Sequence, residues 1–448
     1  MSVPSPAAPV VVLGAGWAGL TAALTLARAG QPVHLIEAAQ TPGGRARSLT
    51  VGDASLDNGQ HILVGACRST LAQMRSLGVD PDSALHPLPF GLRMFAPGGD
   101  GQRPAFALEP RSPRPPALAA GLFGALAGTP AGRRLRATLG AGAMLHRPLR
   151  EDRPVLDWLR ACQQPEGLIR ALWDPLCLAV MNTPTRVASA RVFQNVLRLA
   201  LNHGPQDARL LIPTRPLGAL LPEPAIAELR GRGARIDLGR RITVVERDPA
   251  RGDAPYRLRD RQGRATEARA LVLATAPAAA ARLLPQVPEL ADVRNGAAAM
   301  GARTICTVYL RYRETQTRLP ALQGLLDQHG QWLIPRHVAG APHWLAVVIS
   351  GADDLEPMDT GRRWRTTAEA LTRTFPGLGQ PETGQVVCER RATLDARTGI
   401  DDLRPAARTP WPKLYLAGDY LVPGLPSTLE AAVHSGLESA NKLLEDLS

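Results

Sequence analysis

Six residues near the start of the chain, Gly14-Ala15-Gly16-Trp17-Ala18-Gly19, have the types and spacing to hold a dinucleotide. In such a G-x-G-x-x-G the first glycine permits a tight turn and the second lets backbone approach a pyrophosphate. The third lets a helix pack close to a strand. The N–H groups opening that helix are unpaired and carry the positive end of its dipole, which suits phosphate. Glu37 stands where the pattern wants an acid to accept hydrogen bonds from a ribose hydroxyl. A chain with 42 glycines makes glycine-rich turns by chance, so the motif alone decides little, and an ordinary βαβ turn is the plain alternative. The flanking segments weigh against that alternative. Val10 to Leu13 is an apolar run of strand type, Leu20 to Arg28 reads as helix, Gly30 ends it, and Pro32 to Ile36 is a second strand finishing on Glu37.

Three further clusters carry polar chemistry. Thr41-Pro42-Gly43-Gly44-Arg45-Ala46-Arg47 pairs two glycines, which allow a tight backbone, with an arginine able to fork onto phosphate oxygens. Asp57-Asn58-Gly59-Gln60-His61 is polar between apolar neighbours; it reads either as a plain turn or as a loop facing a bound ring system. Near the end, Lys413 to Asp419 is a short strand closing on Gly-Asp, and Ser427 or Thr428 is a natural N-cap for a helix from Leu429 to Leu444, with Glu430 in its first turn.

The elements that must position these clusters are α/β in character. At 448 residues the chain has room for two domains and a large core, and 45% hydrophobic residues make it globular. Residues 151 to 203 read as mostly helical, in segments Val155–Leu159, Leu168–Val180 and Arg191–Leu201. Strands are expected at Arg235–Leu238, Ile242–Val245, Tyr256–Leu258, Ala270–Pro277, Thr304–Leu310 and Trp344–Ile349, with helices at Ala225–Arg232 and Asp359–Thr374. Pro115 to Gly132 carries no charged residue, has Leu118, Leu122, Phe123 and Leu126 at helical spacing, and is bracketed by Arg111, Arg114, Arg133, Arg134 and Arg136. It is too weakly apolar to span a bilayer; it suits either the interface of an anionic membrane or an internal helix.

Net charge is +12, almost all of it arginine, since Lys413 and Lys442 are the only lysines. Aromatics make up 4% and no basic run is interleaved with them, so nucleic acid is not an expected partner. Cys67, Cys162, Cys177, Cys306 and Cys388 are odd in number, scattered and without a C-x-x-C, so neither a disulfide framework nor a metal site is expected. The first residues lack a basic n-region, so a cleavable signal peptide is not expected.

With these pieces in order, the chain resembles the flavin amine oxidase and phytoene desaturase superfamily from end to end. Gly14 to Leu20, Glu37 and Gly43-Gly44-Arg45 match its N-terminal FAD signature; Leu416 to Asp419, followed by Glu430-Ala431-Ala432-Val433-His434-Ser435-Gly436, matches its C-terminal one. Asp57 to Gly65 and Gly418-Asp419-Tyr420 are most similar to the hydroxysqualene dehydroxylases. One departure is Ala431-Ala432, where many relatives have Gly-Ala.

The resemblance implies a Rossmann-like FAD-binding domain of glutathione-reductase type and a discontinuous substrate domain of mixed sheet and helices. The FAD domain would take residues 1–85, 206–285 and 401–448, the helical, membrane-facing part 86–205, and the substrate sheet 286–400. The implied cofactor contacts are Gly14, Ala15, Gly16, Ala18, Gly19, Glu37, Ala38, Gly43, Gly44, Arg45, Asn58, Gly59, Gln60, His61, Val244 and Val245 on the adenine side, Gly418, Asp419, Ser427, Thr428, Leu429 and Ala432.

The implied reaction is reductive loss of the allylic hydroxyl of a lipophilic isoprenoid. His61, Asp57 and Tyr420 are the candidate proton donors; each has a bland reading too, Asp57 as a turn cap and His61 as a cofactor contact. A carotenoid-type desaturase is the same machinery run oxidatively. A flavin-free lipid carrier of the Rab escort kind would not need the intact glycine and acid set, and a sugar-nucleotide mutase would want a more polar domain than residues 115 to 201. The expected setting is cytoplasmic, peripheral to the inner face of a bacterial membrane. Self-association is left open.

Overall fold

A computed structural model describes residues 8–448, except residues 53, 203, 329, 356 and 357 and the side chain of Asp354. Its organising element is a five-stranded parallel sheet of β1 (Val10–Leu13), β2 (Val33–Ile36), β3 (Arg235–Asp237), β4 (Ala270–Leu273) and β5 (Leu414–Leu416), in the order β3-β2-β1-β4-β5. β1 is central, with Val10 opposite both Val33 and Ala270, and every β1 residue is buried. A strand covered on both faces must be apolar throughout, which is why it reads as an unbroken Val-Val-Val-Leu run. Helix α1 (Trp17–Arg28) is the crossover to β2. It begins three residues earlier than its periodicity suggests, because Gly16 is its N-cap and the helix opens inside the glycine motif. The C-terminal helix Leu429–Leu447 lies against α1 so closely that a Cβ on Gly436 would stand 2.3 Å from the carbonyl oxygen of Ala18.

A second sheet is mixed and seven-stranded: Thr383–Leu394, Ala302–Arg311, Trp344–Ser350, Trp332–Pro335, Gln323–Leu325, Leu92–Phe95 and Phe106–Leu108, in that order. Side chains alternate across it. Cys306, Val308 and Leu310 pack on helix Thr360–Thr374, whereas Ile305 and Val387 face a large cavity. This alternation also brings a correction. Cys306 and Cys388 stand opposite each other in register and are joined by a disulfide, although the scattered cysteines gave no expectation of a disulfide framework. They are 82 residues apart, and only the strand pairing makes them neighbours.

A helical block on the cavity wall includes α2 (Pro115–Ala125), α3 (Ala131–His146) and α4 (Ala190–Leu201). The segment expected as one helix from Leu168 to Val180 is interrupted by a π-helical turn at Ile169–Trp173, ahead of helix Asp174–Met181. Pro175 explains the break: it has no N–H to donate, and its ring crowds the preceding turn, which widens instead. Among the described residues, no helix is long and apolar enough to cross a membrane.

Candidate functional site

One cavity of about 1380 Å³ runs from the carboxyl ends of β1 and β2 to the face of the second sheet. Its first half is built by the glycine loop. Gly14 has φ +112°, and a Cβ there would stand 2.3 Å from the carbonyl oxygen of Ala274; a Cβ on Gly19 would stand 1.9 Å from that of Gly14. The protein itself therefore demands glycine at both positions. Gly16 differs: a Cβ there would meet nothing nearer than the Cα of Gly44 at 4.0 Å, and its open side is cavity wall. Glu37 is also on the wall, where its carboxylate accepts from Ala15 N and Ala39 N, both at 2.7 Å, fixing the turn after β1 to the turn after β2.

The C-terminal segment closes this cradle. Gly418, Asp419, Ser427, Thr428, Leu429 and Ala432 all line it. Thr428 is the N-cap of the last helix, its Oγ1 accepting from Ala431 N at 3.1 Å, so the positive end of that helix points at the cavity. Ser427 serves elsewhere, accepting from Leu394 N at 2.9 Å. Glu430 accepts from Ser69 N and Thr70 N and so caps helix Arg68–Ser76, a role its position gave no sign of. Arg45 is on the wall but does not present a free fork: its guanidinium donates to Asp419 Oδ1 at 2.6 Å and to the Ala392 carbonyl at 2.8 Å. It joins the two terminal signatures instead.

The loop 58–61 crosses the middle of the cavity. Asn58 donates to the Arg45 carbonyl and to Glu389 Oε2, both at 3.1 Å, and His61 Nδ1 lies 3.0 Å from the Gly59 carbonyl. A carbonyl only accepts, so Nδ1 carries the proton and Nε2 is left as the other ring nitrogen. Burial is the main cause that holds the His61 pKa below its ordinary value; Asp57 and the Gly59 contact oppose it. Cys67, also on the wall, has its thiol pushed up to about 12 by burial and is inert as a nucleophile.

Behind the loop is a buried set that sequence reasoning missed. Arg336, 1% exposed, donates to Gln60 Oε1 and sits 3.6 Å from Asp57 Oδ2. Asp57 Oδ1 accepts from Leu217 N at 2.8 Å, and its carbonyl accepts from Tyr309 Oη at 2.9 Å. Burial, above all, raises the Asp57 pKa.

Of the three candidate proton donors, only His61 reaches the cavity wall. Asp57 is wholly buried behind it, and Tyr420, 1% exposed, has its ring against Gly418. The adenine-side expectation is also displaced. Arg240, Arg241, Ile242 and Thr243 line the cavity, whereas Val244 is exposed and Val245 is buried in the core. A register irregularity between Ile242 and Val244 turns the strand away after Thr243. Ala15 and Gly19 stand behind the wall, while Ala18, Ala38, Gly43, Gly44, Gly59 and Gln60 are on it.

The second half of the cavity is hydrocarbon-walled. Leu122, Leu172, Trp173, Leu176, Val196, Ile305, Trp332 and Val348 contribute, and polar side chains such as Glu389, Asn182 and Thr393 are few. Leu122 is 6% exposed and points into this chamber, and Phe123 lies under the Arg134 guanidinium at 3.9 Å. Leu122 and Leu126 of the apolar stretch are thus internal, while Pro115, Pro116, Ala119 and Ala120 of the same stretch are exposed.

Residues 17–444 match the model of the flavin-containing amine oxidoreductases. The chain is 32% identical to hydroxysqualene dehydroxylase of Rhodopseudomonas palustris, over 97% of this chain and 98% of that protein. It is 30% identical to the hydroxysqualene dehydroxylase of Sinorhizobium fredii, over 98% of both. In fold it is similar to cyclohexylamine oxidase from Brevibacterium oxydans IH-35A, with a TM-score of 0.71 at 18% identity, over 99% of this chain and 100% of that one.

Proposed function

The chain belongs to the flavin-containing amine oxidoreductases and is an FAD-dependent oxidoreductase, and we propose that it removes the hydroxyl of hydroxysqualene to give squalene. The observation that carries this reading is the single cavity that joins a dinucleotide cradle to a hydrocarbon chamber, with its polar groups gathered where the two meet. The cradle fits FAD. Gly16 is the one motif glycine that no protein atom requires, and its open side leaves room for a pyrophosphate. Glu37 keeps lone pairs for a ribose hydroxyl, Arg240 to Thr243 wall the adenine end, and the N-terminus of helix Leu429–Leu447 would stabilise negative charge on the ring. In this reading residues 1–85, 206–285 and 401–448 hold the cofactor, and 86–205 with 286–400 hold the substrate.

The overall change exchanges a C–O bond for a C–H bond and releases water, consuming two electrons and two protons. FAD, when bound and reduced, supplies the two-electron chemistry. The protein must supply the rest. His61 is the proposed proton donor to the departing hydroxyl, through Nε2. Its lowered pKa makes the protonated ring a stronger acid, and Asp57 behind it favours that protonated form. The apolar walls exclude water from a carbon centre that becomes electron-poor as the C–O bond breaks. Asn58 and Glu389, tied to each other and to Arg45, hold the polar side of the junction in place. The substrate's solubility in lipid makes an anionic membrane surface the proposed partner.

Anaerobic incubation of the reduced protein with hydroxysqualene, followed by product analysis, is the test. Squalene formation is expected. Desaturation of an isoprenoid by the oxidised protein, with no squalene from the reduced one, would replace this reading with that of a carotenoid-type desaturase.

A further inference from the structure

Among the described residues, the large apolar side chains that reach solvent most fully are Leu135 and Leu139, 54% and 65% exposed. They sit one turn apart on the outer side of α3. Continued at helical spacing, their stripe reaches Gly142 and His146, which line the cavity. Pro115 and Ala119 on α2, His146 on α3 and Leu199 on α4 are each both exposed and part of the cavity wall, so the chamber opens between these helices. An apolar stripe thus leads from the outer surface into the mouth.

The charge around the stripe has one sign. From Pro110 to Arg150 there is no aspartate or glutamate, while Arg111, Arg114, Arg133, Arg134, Arg136, Arg147 and Arg150 all fall in that span. Arg134 is committed internally, donating to the Phe123 carbonyl, but the other six are exposed. Elsewhere on the surface some arginines are matched by carboxylates, as Arg28 is by Glu228 and Arg93 by Glu109. Exposed leucines at a cavity mouth, set among unopposed arginines, are complementary to a bilayer with anionic headgroups.

We propose that the outer face of α3, centred on Leu135 and Leu139 and flanked by Arg111, Arg114, Arg133 and Arg136, docks the cavity mouth on an anionic membrane surface. The proposal rests on the isoprenoid reading for its purpose, because a lipid-soluble substrate then passes from acyl chains to chamber without crossing water. It centres docking on α3 rather than on Leu122 of α2, which faces inward.

The experiment is co-sedimentation of the FAD-loaded protein with vesicles of equal parts phosphatidylglycerol and phosphatidylcholine, and with phosphatidylcholine alone. Neither contains an isoprenoid alcohol, so binding is read independently of substrate identity. Binding is expected to the anionic vesicles, weakening as salt is raised. Leu135→Ser with Leu139→Ser should lower the affinity roughly tenfold or more, and Arg133→Gln with Arg136→Gln roughly fivefold per arginine. Both variants should keep the wild-type flavin spectrum and turnover of detergent-dispersed substrate. Failure of the wild type to bind anionic vesicles would overturn the proposal. So would binding unchanged in the leucine variant, or a leucine variant that loses self-association instead, which would make a second copy the occupant. Vesicle binding without turnover of any isoprenoid alcohol would keep this surface and discard the substrate.

Discussion

At Gly16 a methyl group would meet no protein atom closer than 4.0 Å, whereas at Gly19 it would collide with the Gly14 carbonyl at 1.9 Å. The two glycines therefore separate ligand binding from folding. Gly16→Val should abolish FAD retention while the apoprotein unfolds within about 1 kcal/mol of wild type, and Gly19→Val should impair folding itself. Flavin absorbance and denaturant titration read the two effects, and full FAD occupancy in Gly16→Val would show the pyrophosphate to lie elsewhere. Glu37→Ala removes the acceptor for Ala15 N and Ala39 N as well as the ribose contact, and should weaken FAD binding by about 1–3 kcal/mol. For His61 the sign of the pH effect follows from burial. Its folded pKa lies below its ordinary value, so the folded state binds fewer protons than the unfolded one between those two values. The stability conferred by a neutral His61 is thus fully present above about pH 6.5 and is lost as pH falls below it. Turnover runs the other way: a donor must be protonated, so kcat should rise as pH falls toward the His61 pKa. His61→Gln should remove that slope. A wild-type profile in the glutamine variant would eliminate His61 as the donor.

Elements differ in how openly the sequence announces them. The β1–α1–β2 unit was legible because its information is local: two doubly buried strands, a glycine loop and a crossover helix within twenty-seven residues, Val10 to Ile36. The last helix was legible for the same reason, by its cap. The site parts that escaped are those assembled from distant segments. Arg336 meets Gln60 across 276 residues, and Glu389 meets Asn58 across 331, so only the packing of loop 58–61 against distant segments brings them together. Val244 and Val245 stand off the cavity wall, beyond a register irregularity between Ile242 and Val244 that the sequence does not announce. The Asp57–Arg336 pair gives this scale its own prediction. Both side chains are buried, and Asp57 Oδ2 has Arg336 as its nearest charge partner. Removing one member of a buried pair strands the other and costs about 3–5 kcal/mol. Arg336→Met should therefore destabilise by that amount and also perturb the flavin spectrum, because Gln60 loses its anchor. A loss below about 1 kcal/mol, with an unchanged spectrum, would show that the pair does not hold loop 58–61.

On the scale of the whole molecule, the cradle draws on segments spread along nearly the full chain: the glycine loop and Glu37, loop 43–45, loop 58–61, residues 240–243 and residues 418–432. A ligand seated in the cavity of about 1380 Å³ at their junction would give these segments a common packing partner. FAD bound there would be a structural member as well as a reagent. By mass action, a ligand that binds only the folded chain stabilises it by roughly 4 kcal/mol when present at a thousand times its dissociation constant. The purified protein should be yellow and should release FAD on denaturation. Deflavinated protein should unfold several degrees lower than the reconstituted form, with the gap growing as free FAD is raised. Gly16→Val should show the lower value whatever FAD is added, since its deficit is in binding alone. A colourless preparation that neither takes up FAD nor gains thermal stability from it would remove the enzyme reading and leave a lipid-binding protein in this fold.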